Sequence, residues 1–248
     1  MIILMNNSID CYIPARLGSL RVPAKNLRLL GGMPLIAHAI NTLKRTETIS
    51  SFCVNTESAI ISEVARKYGA AVYDRRPDLA ISSTSTDEII YDYALNSSSD
   101  HLLLVNPTAP FLKSESIDSA ARQYLKTGQN LFSSTLTRRH AYFNGEPLNF
   151  LPASKSPRTQ ELTSVEFINF IFIFLNRAKM VSAYENSGSC LYSGDIQLWP
   201  LDGLEAWDID DEFDFQIAQL AIDRQVAAKP EYVPEVASLI RSGLRFEN

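Results

Sequence analysis

Two periods of hydrophobic and polar positions alternate along this chain. Short apolar runs at residues 9–13, 52–54, 70–73, 101–105, 131–136 and 167–174 have the length of buried strands. Between them apolar residues return at helical spacing: Leu35, Ile36, Ala39, Ile40 and Leu43, then Ile60, Ile61, Val64 and Ala65. Ile89, Ile90, Tyr93 and Ala94 form a third such set, and Ile117, Ala121 and Tyr124 a fourth. Gly31-Gly32 marks a turn before the first helix, with Pro34 in its first turn, and Gly69 and Gly128 close the second and fourth. Thr86 or Asp87 is expected to cap the third helix, Ser114 the fourth, and Asn176 a short helix through Lys179 and Val181. Ser187-Gly188-Ser189 reads as a turn. Phe215, Ile217, Ala218, Leu220 and Ala221 line a later helix, and 235–241 suits a last short one on the surface. Repeated strand–helix alternation predicts an α/β fold with a doubly wound, mostly parallel, Rossmann-like sheet.

Residues 137–157 break the rhythm with Arg138, Arg139, His140, two asparagines, Gly145 and three prolines. They read as a hairpin or inserted arm, bounded at 137–166, within one domain spanning 1–248. The chain has 248 residues, 46% apolar and 21% charged, enough for one large packed domain. A net charge of −5 and a pI of about 5.3 argue against a general nucleic-acid footprint. Phe167 to Leu175 is too short to span a bilayer, so no membrane partner is expected. Cys11, Cys53 and Cys190 lack metal-ligand spacing, and the odd count with no signal peptide points to a reducing cytoplasm.

Chemistry concentrates first at residues 13–26. Pro14 and Pro23 exclude helix and central strand there, Gly18 permits close backbone approach, and Arg16, Arg21 and Lys25 bring three cations. A loop with free N–H groups and cations after the first strand of an α/β domain suits an anionic ligand such as a nucleoside triphosphate. The plainer reading, an exposed basic loop without a ligand, stands beside it. Asn106-Pro107-Thr108-Ala109-Pro110 follows the strand at 101–105 and so points at the same crevice, where Asn106 and Thr108 offer hydrogen bonds to a base edge. Asp208 and Asp210, two apart, put both carboxylates on one side of an extended segment and suit Mg²⁺. Asp211, Glu212 and Asp214 read as caps and dipole partners of the helix that follows, and the same role is open to the first pair. His38 and His101 read as packed histidines, and His140 as a residue of the arm.

Four segments in this order carry a resemblance: Ile-Pro-Ala-Arg-x-Gly-Ser-x-Arg-Val-Pro-x-Lys-Asn from Ile13, Arg76-Pro77 with its hydroxyl-rich loop, Asn-Pro-Thr-Ala-Pro from Asn106, and Asp-Ile-Asp-Asp-Glu-x-Asp from Asp208. With Arg-Thr-Gln-Glu-Leu from Arg158, they resemble the acylneuraminate cytidylyltransferases, or CMP-sialic acid synthetases, over about Ile9 to Ala221. The resemblance implies a nucleotidyltransferase-type fold with a small inserted dimerisation arm. It also implies transfer of CMP from CTP to a 2-keto sugar acid, with release of pyrophosphate. It assigns Arg16, Arg21 and Lys25 to the phosphates and Asn26 to the nucleotide, with Mg²⁺ on Asp208 and Asp210. Arg16, Lys25, Asp208 and Asp210 are then the catalytic set. Arg76, Ser82, Ser83, Asn106, Pro107 and Thr108 would line the cytosine and ribose, and Arg158, Gln160 and Asn169 the sugar side. A homodimer follows, its arm reaching toward the partner's site. Leu17, Leu20, Ser83, Asn106, Leu112 and Phe170 depart from the family pattern, and the Phe replaces the Gly of an Asn-Gly pair. These departures keep open a catalytically impaired relative that binds nucleotide or a partner protein, and a transferase for another base or sugar. The CMP-KDO synthetases share the first motif but carry an acidic residue in the loop where this chain has Asn106 to Pro110.

Overall fold

A computed structural model of the protein describes residues 8–19, 21–152 and 155–223. The helix expected at 235–241, and Leu20, lie outside the described residues. Among the described residues seven strands form the central sheet: β1 (Ile9–Pro14), β2 (Ile49–Thr56), β3 (Ala71–Asp74), β4 (His101–Val105), β5 (Asn130–Thr137), β6 (Val165–Asn176) and β7 (Ile196–Pro200). Their order is β3-β2-β1-β4-β6-β5-β7. β6 runs antiparallel to both its neighbours, and every other pairing is parallel.

Period-two alternation sends successive side chains to opposite faces of this sheet. Cys11, Ile13, Leu103, Val105, Phe172 and Phe174 join one core with α1 (Leu35–Leu43), α2 (Ala59–Lys67) and α4 (Ser114–Thr127). Tyr12, Leu102, Leu104, Ile173 and Leu175 join the other with α3 (Thr86–Asn96) and α5 (Arg177–Ser187). Both faces are therefore covered, as a largely parallel sheet requires. A third, smaller core packs α6 (Glu212–Asp223) through Phe215 and Ala218 against Val22, Leu30, Leu35 and Ile209.

Several local expectations change. The cap of α3 is Ser85, whose Oγ accepts the Glu88 N–H in a capping box, instead of Thr86 or Asp87. Lys113 occupies the N-cap of α4, and Ser114 is its first helical residue. Asn176 does cap α5, accepting from the Lys179 N–H, but that helix runs on to Ser187. β7 has no counterpart in the apolar pattern, because its four leading residues are only half-buried and it ends in Pro200. Proline is tolerated there because the strand lies at the sheet edge.

The arm leaves after β5. Tyr142–Phe143 pairs with Glu146–Pro147 across Asn144 (φ 51°) and Gly145 (φ 85°). Asn-Gly in the left-handed region at both central positions matches the hairpin turn that suits strand twist. The chain returns to β6 through a short 3-10 turn at Thr159–Glu161.

Candidate active site

Strand order reverses between β1 and β4, with β2 and β3 on one side and β6, β5 and β7 on the other. In an open α/β sheet the crevice at the carboxyl ends of two such strands is where ligands bind. The loops after β1 and β4 both open there.

The first loop is tied down residue by residue. Its Ala15 N–H donates to the Asn55 carbonyl at 2.9 Å, continuing the β1–β2 ladder. The Leu17 N–H donates to Glu57 Oε1 at 3.0 Å. Asn26 Nδ2 donates to the Arg16 carbonyl at 3.3 Å and closes the loop on itself. Ala24 takes a left-handed conformation, φ 48°, and starts the short 3-10 turn Lys25–Leu27 that aims Lys25. Lys25 Nζ donates to the Ile209 carbonyl.

The second loop is held by β6. The Asn106 N–H donates to the Ile171 carbonyl at 2.8 Å. Thr108 then docks the late aspartates: its carbonyl accepts the Ile209 N–H at 2.9 Å. Its hydroxyl lies 2.8 Å from Asn106 Oδ1 and is also hydrogen-bonded to Asp208. Asp210 pairs with Arg21 at 2.8 Å and lies 4.0 Å from Lys25 Nζ. Asp214 Oδ2 accepts the N–H groups of Asp210 and Asp211, and Asp211 Oδ1 accepts from the Asp214 N–H, so the expected caps of α6 also fix the couplet. Trp207 Nε1 donates to the Asp214 carbonyl at 3.3 Å and braces the same turn.

These contacts set the electrostatics. Burial pushes the Asp208 carboxyl above its ordinary value; the Thr108 hydrogen bond opposes this and the charge of Asp210 adds to it. Burial likewise pushes Lys25 down, with Asp208 and Asp210 holding it up. A half-buried carboxylate with a second one beside it is an environment that a cation relieves. Among the described residues no cluster of three or more His, Cys, Asp or Glu could hold a metal. Mg²⁺ bound mainly by phosphate oxygens and water needs no such cluster, because one or two carboxylates complete it. Asp210 lines the larger cavity, and Asp208 is hydrogen-bonded to Thr108 of its wall.

The crevice contains two joined cavities. The larger, about 430 Å³, is polar and brings together Arg16, Arg21, Lys25, Asn26 and Asp210. Ser82, Asn106, Pro107 and Thr108 complete its wall. The smaller, about 240 Å³, shares Pro14, Arg16 and Asn106 with it and is otherwise walled by Arg75, Thr86, Ile89, Leu104, Phe170 and Ile173. Most of the residues singled out in sequence thus meet in one place. Ser83 is exposed, and Leu112 is buried in the core, where its carbonyl accepts the Thr42 hydroxyl. Arg158 pairs with Glu161 in the arm, next to an exposed Gln160.

Two positions turn out differently placed from their sequence assignment. Arg76 points its guanidinium at Asp78 and Asp92, and it is the neighbouring Arg75 that reaches the crevice. Strand parity decides this: Arg75 shares the face of Tyr73, which packs toward Tyr93 on α3. Arg75 is buried, with Nε 2.6 Å from Asn55 Oδ1 and Nη2 2.9 Å from the Asn55 carbonyl. Asn169 is engaged by protein. Ser133 Oγ donates to its Oδ1 at 2.6 Å, its Nδ2 donates to Thr135 Oγ1 at 3.0 Å, and the Ile171 N–H also reaches its Oδ1 at 3.3 Å. This clamp holds a wide bulge in β6, where Ile168 pairs with Ser134 but Ile173 pairs with Phe132. Phe170 sits in the bulge at φ 55°. Arg75, Thr86 and Ile89 were not assigned to the crevice from sequence, where Thr86 and Ile89 read only as helix residues. The only local signal for them was the Arg75-Arg76 pair, which left two candidates for one position.

The cytidylyltransferase family model matches residues 11–162, more than half the chain and including both crevice loops after β1 and β4. The chain belongs to the cytidylyltransferase family. Among curated relatives, CMP-N,N'-diacetyllegionaminic acid synthase of Legionella pneumophila is 39% identical over 131 residues, 50% of this chain and 56% of that protein. N-acylneuraminate cytidylyltransferase A of Danio rerio is 26% identical over 227 residues, 87% of this chain and 51% of that protein. The chain spans about half the length of each of these two cytidylyltransferases. A solved CMP:2-keto-3-deoxy-manno-octonic acid synthetase with CTP shares the fold. The match has a TM-score of 0.65 and 12% identity, and covers 88% of this chain and all of that one.

Proposed function

We propose that this member of the cytidylyltransferase family transfers CMP from CTP to the anomeric hydroxyl of a 2-keto sugar acid of the nonulosonic type. The observation that carries the reading is the meeting of the Arg16-to-Lys25 loop with Asp210 across one polar cavity at the sheet's switch point, with Asp208 hydrogen-bonded to Thr108 of the cavity wall. The names of the relatives agree with it.

The hydroxyl oxygen attacks the α-phosphorus, the bond from that phosphorus to the bridging oxygen breaks, and its electron pair leaves with pyrophosphate. Little covalent chemistry falls to the protein, so positioning and charge do most of the work. Arg16 sits where the two cavities meet and takes the α-phosphate. Lys25 and Arg21, both beside Asp210, take the departing pyrophosphate. Asn26 presents a buried Oδ1 without a partner among the described residues, an acceptor for the amino group of cytosine. Mg²⁺, held by Asp208 and Asp210, would supply Lewis-acid neutralisation of the phosphate oxygens.

We also assign the arm to a homodimer. Phe143, Tyr142 and Leu151 are 67%, 62% and 75% exposed there, an apolar surface of the kind that association buries. Light scattering of the Phe143→Ser protein, expected to be monomeric where the parent is dimeric, tests that assignment.

Pyrophosphate release from CTP, with Mg²⁺ and a panel of nine- and eight-carbon 2-keto sugar acids, tests the reaction. Turnover with at least one acid, lost in Asp210→Ala, is expected. A folded protein that binds CTP and turns over no acid would leave the nucleotide-binding relative as the correct reading.

A further inference from the structure

We infer that Glu57, which lies outside both crevice loops, is a positioning residue: it aims Arg16 at the reacting phosphate by holding the peptide between Arg16 and Leu17. The inference rests on the transferase reading and deepens it, adding to that site a residue that touches no substrate.

Arg16 is the cation common to both cavities. Its two fellow cations are anchored by protein: Arg21 by Asp210, and Lys25 by the Ile209 carbonyl. Among the described residues the Arg16 guanidinium has neither an ion pair nor a hydrogen bond of this kind. A long side chain without an anchor takes its direction from its backbone, because the allowed rotamers follow φ and ψ.

That backbone is gripped at a single peptide. The Arg16 carbonyl accepts Asn26 Nδ2 at 3.3 Å, and the Leu17 N–H, the other polar end of the same planar group, donates to Glu57 Oε1 at 3.0 Å. Rotating the peptide breaks one grip or the other. Glu57 here stands in for the sheet. After the rung from the Ala15 N–H to the Asn55 carbonyl, a parallel ladder would next join the Leu17 N–H to the Glu57 carbonyl. β2 ends at Thr56, however, and the chain turns into α2 behind its cap Ser58. The Glu57 carboxylate supplies the acceptor that the backbone has withdrawn, and a charged acceptor makes the stronger bond to an N–H.

The charge has a second use. Burial lowers the pKa of Arg75; the Glu57 carboxylate opposes this and the charge of Arg16 adds to it. Arg16 and Arg75 share one cavity wall, so Glu57 offsets the like charge of the pair. Its Oε2 is buried and makes no hydrogen bond among the described residues, which leaves that oxygen to this purely electrostatic role.

The test is a double-mutant cycle on kcat and on the KM for CTP, read by pyrophosphate release with an acid that the parent turns over. Arg16 faces the phosphate where charge develops, so a small misplacement acts on the transition state more than on binding. Glu57→Ala is expected to lower kcat at least about tenfold while the KM for CTP moves less than about threefold, because Arg21 and Lys25 keep their own anchors. In the Arg16→Ala background the same change is expected to lower kcat less than about twofold, since no guanidinium remains to be aimed. Glu57→Gln keeps a carbonyl oxygen for the Leu17 N–H and is expected to bring kcat back to within about threefold of the parent. If Glu57→Ala does not fold, Glu57→Met, of similar size and without an oxygen, takes its place in the cycle with the same expected pattern. Equal losses of kcat in the two backgrounds make Glu57 a merely structural residue and overturn the inference, leaving the transferase reading standing. So does a Gln variant as slow as the Ala variant, or a loss confined to the KM for CTP. Failure of the parent to release pyrophosphate with any acid overturns both readings together.

Discussion

Asn169→Ala separates a residue that touches substrate from one that builds the site. The side chain makes three hydrogen bonds inside the protein, two accepted and one donated. Its removal leaves Ser133, which has no solvent exposure, with a buried hydroxyl proton and no acceptor. An orphaned buried group costs about 1–3 kcal/mol, and each further lost bond about 0.5–1.5 kcal/mol net. A total of about 2–6 kcal/mol is therefore expected. For a chain of this size 1 kcal/mol moves Tm by about 2–4 °C, so scanning fluorimetry should show a fall of about 4–24 °C. The clamp also sets Ile171, whose carbonyl holds the Asn106 N–H. Loosening it displaces the second loop and lowers kcat about tenfold or more, about 1.4 kcal/mol of transition-state stabilisation. Ser133→Ala strikes the same network from the other strand and also removes the acceptor of the Phe172 N–H. The double variant should cost much less than the sum of the two singles. A Tm within about 1 °C of the parent, with only the KM for the sugar acid raised, would refute the clamp and restore a direct substrate contact.

Other outcomes follow from the charges and the backbone. Burial lowers the pKa of Lys25, so its charge is lost below the ordinary lysine value of 10.5. The KM for CTP should rise as pH climbs toward that value, and Lys25→Arg should flatten the rise. The same shift means the unfolded chain binds more protons in that window, so the cost of burying the Lys25 charge is relieved and the nucleotide-free protein gains stability with rising pH while its affinity for CTP falls. Asp208 has the opposite sign: its carboxyl is raised, so the ionised form weakens the fold at neutral pH. Asp208→Asn should lower turnover at least about a hundredfold while leaving the Tm of the nucleotide-free protein no lower than the parent's. Gly31→Ala puts a Cβ 2.6 Å from Ile222 Cγ2 at a backbone φ of 57°. It should lower Tm by about 2–8 °C, from about 1–2 kcal/mol of backbone strain, and loosen α6 behind the couplet.

Much of the architecture was legible because burial imposes a period. Leu102 to Val105 and Phe172 to Leu175 alternate between two covered faces, and runs of that kind read as strands before any contact is known. β7 lacks this mark, since an edge strand with half-buried residues need not be continuously apolar. The crevice was legible for a topological reason. Loops after β1 and β4 converge wherever those strands lie side by side, and only their separation of about ninety residues hides it in the sequence. The choice between Arg75 and Arg76 depends on the parity of a four-residue strand, which a loop reading does not fix. Asn169 shows a different limit. Its partners Ser133 and Thr135 lie more than thirty residues earlier, and the bulge they stabilise exists only once β5 and β6 have paired. That bulge is where the two halves of the site become one device. Ile171 faces the nucleotide loop with its carbonyl, and Phe170 faces the smaller cavity with its ring. A change that shifts one must shift the other, so the shape of the smaller cavity and the placement of Asn106 are expected to vary together across variants of this strand.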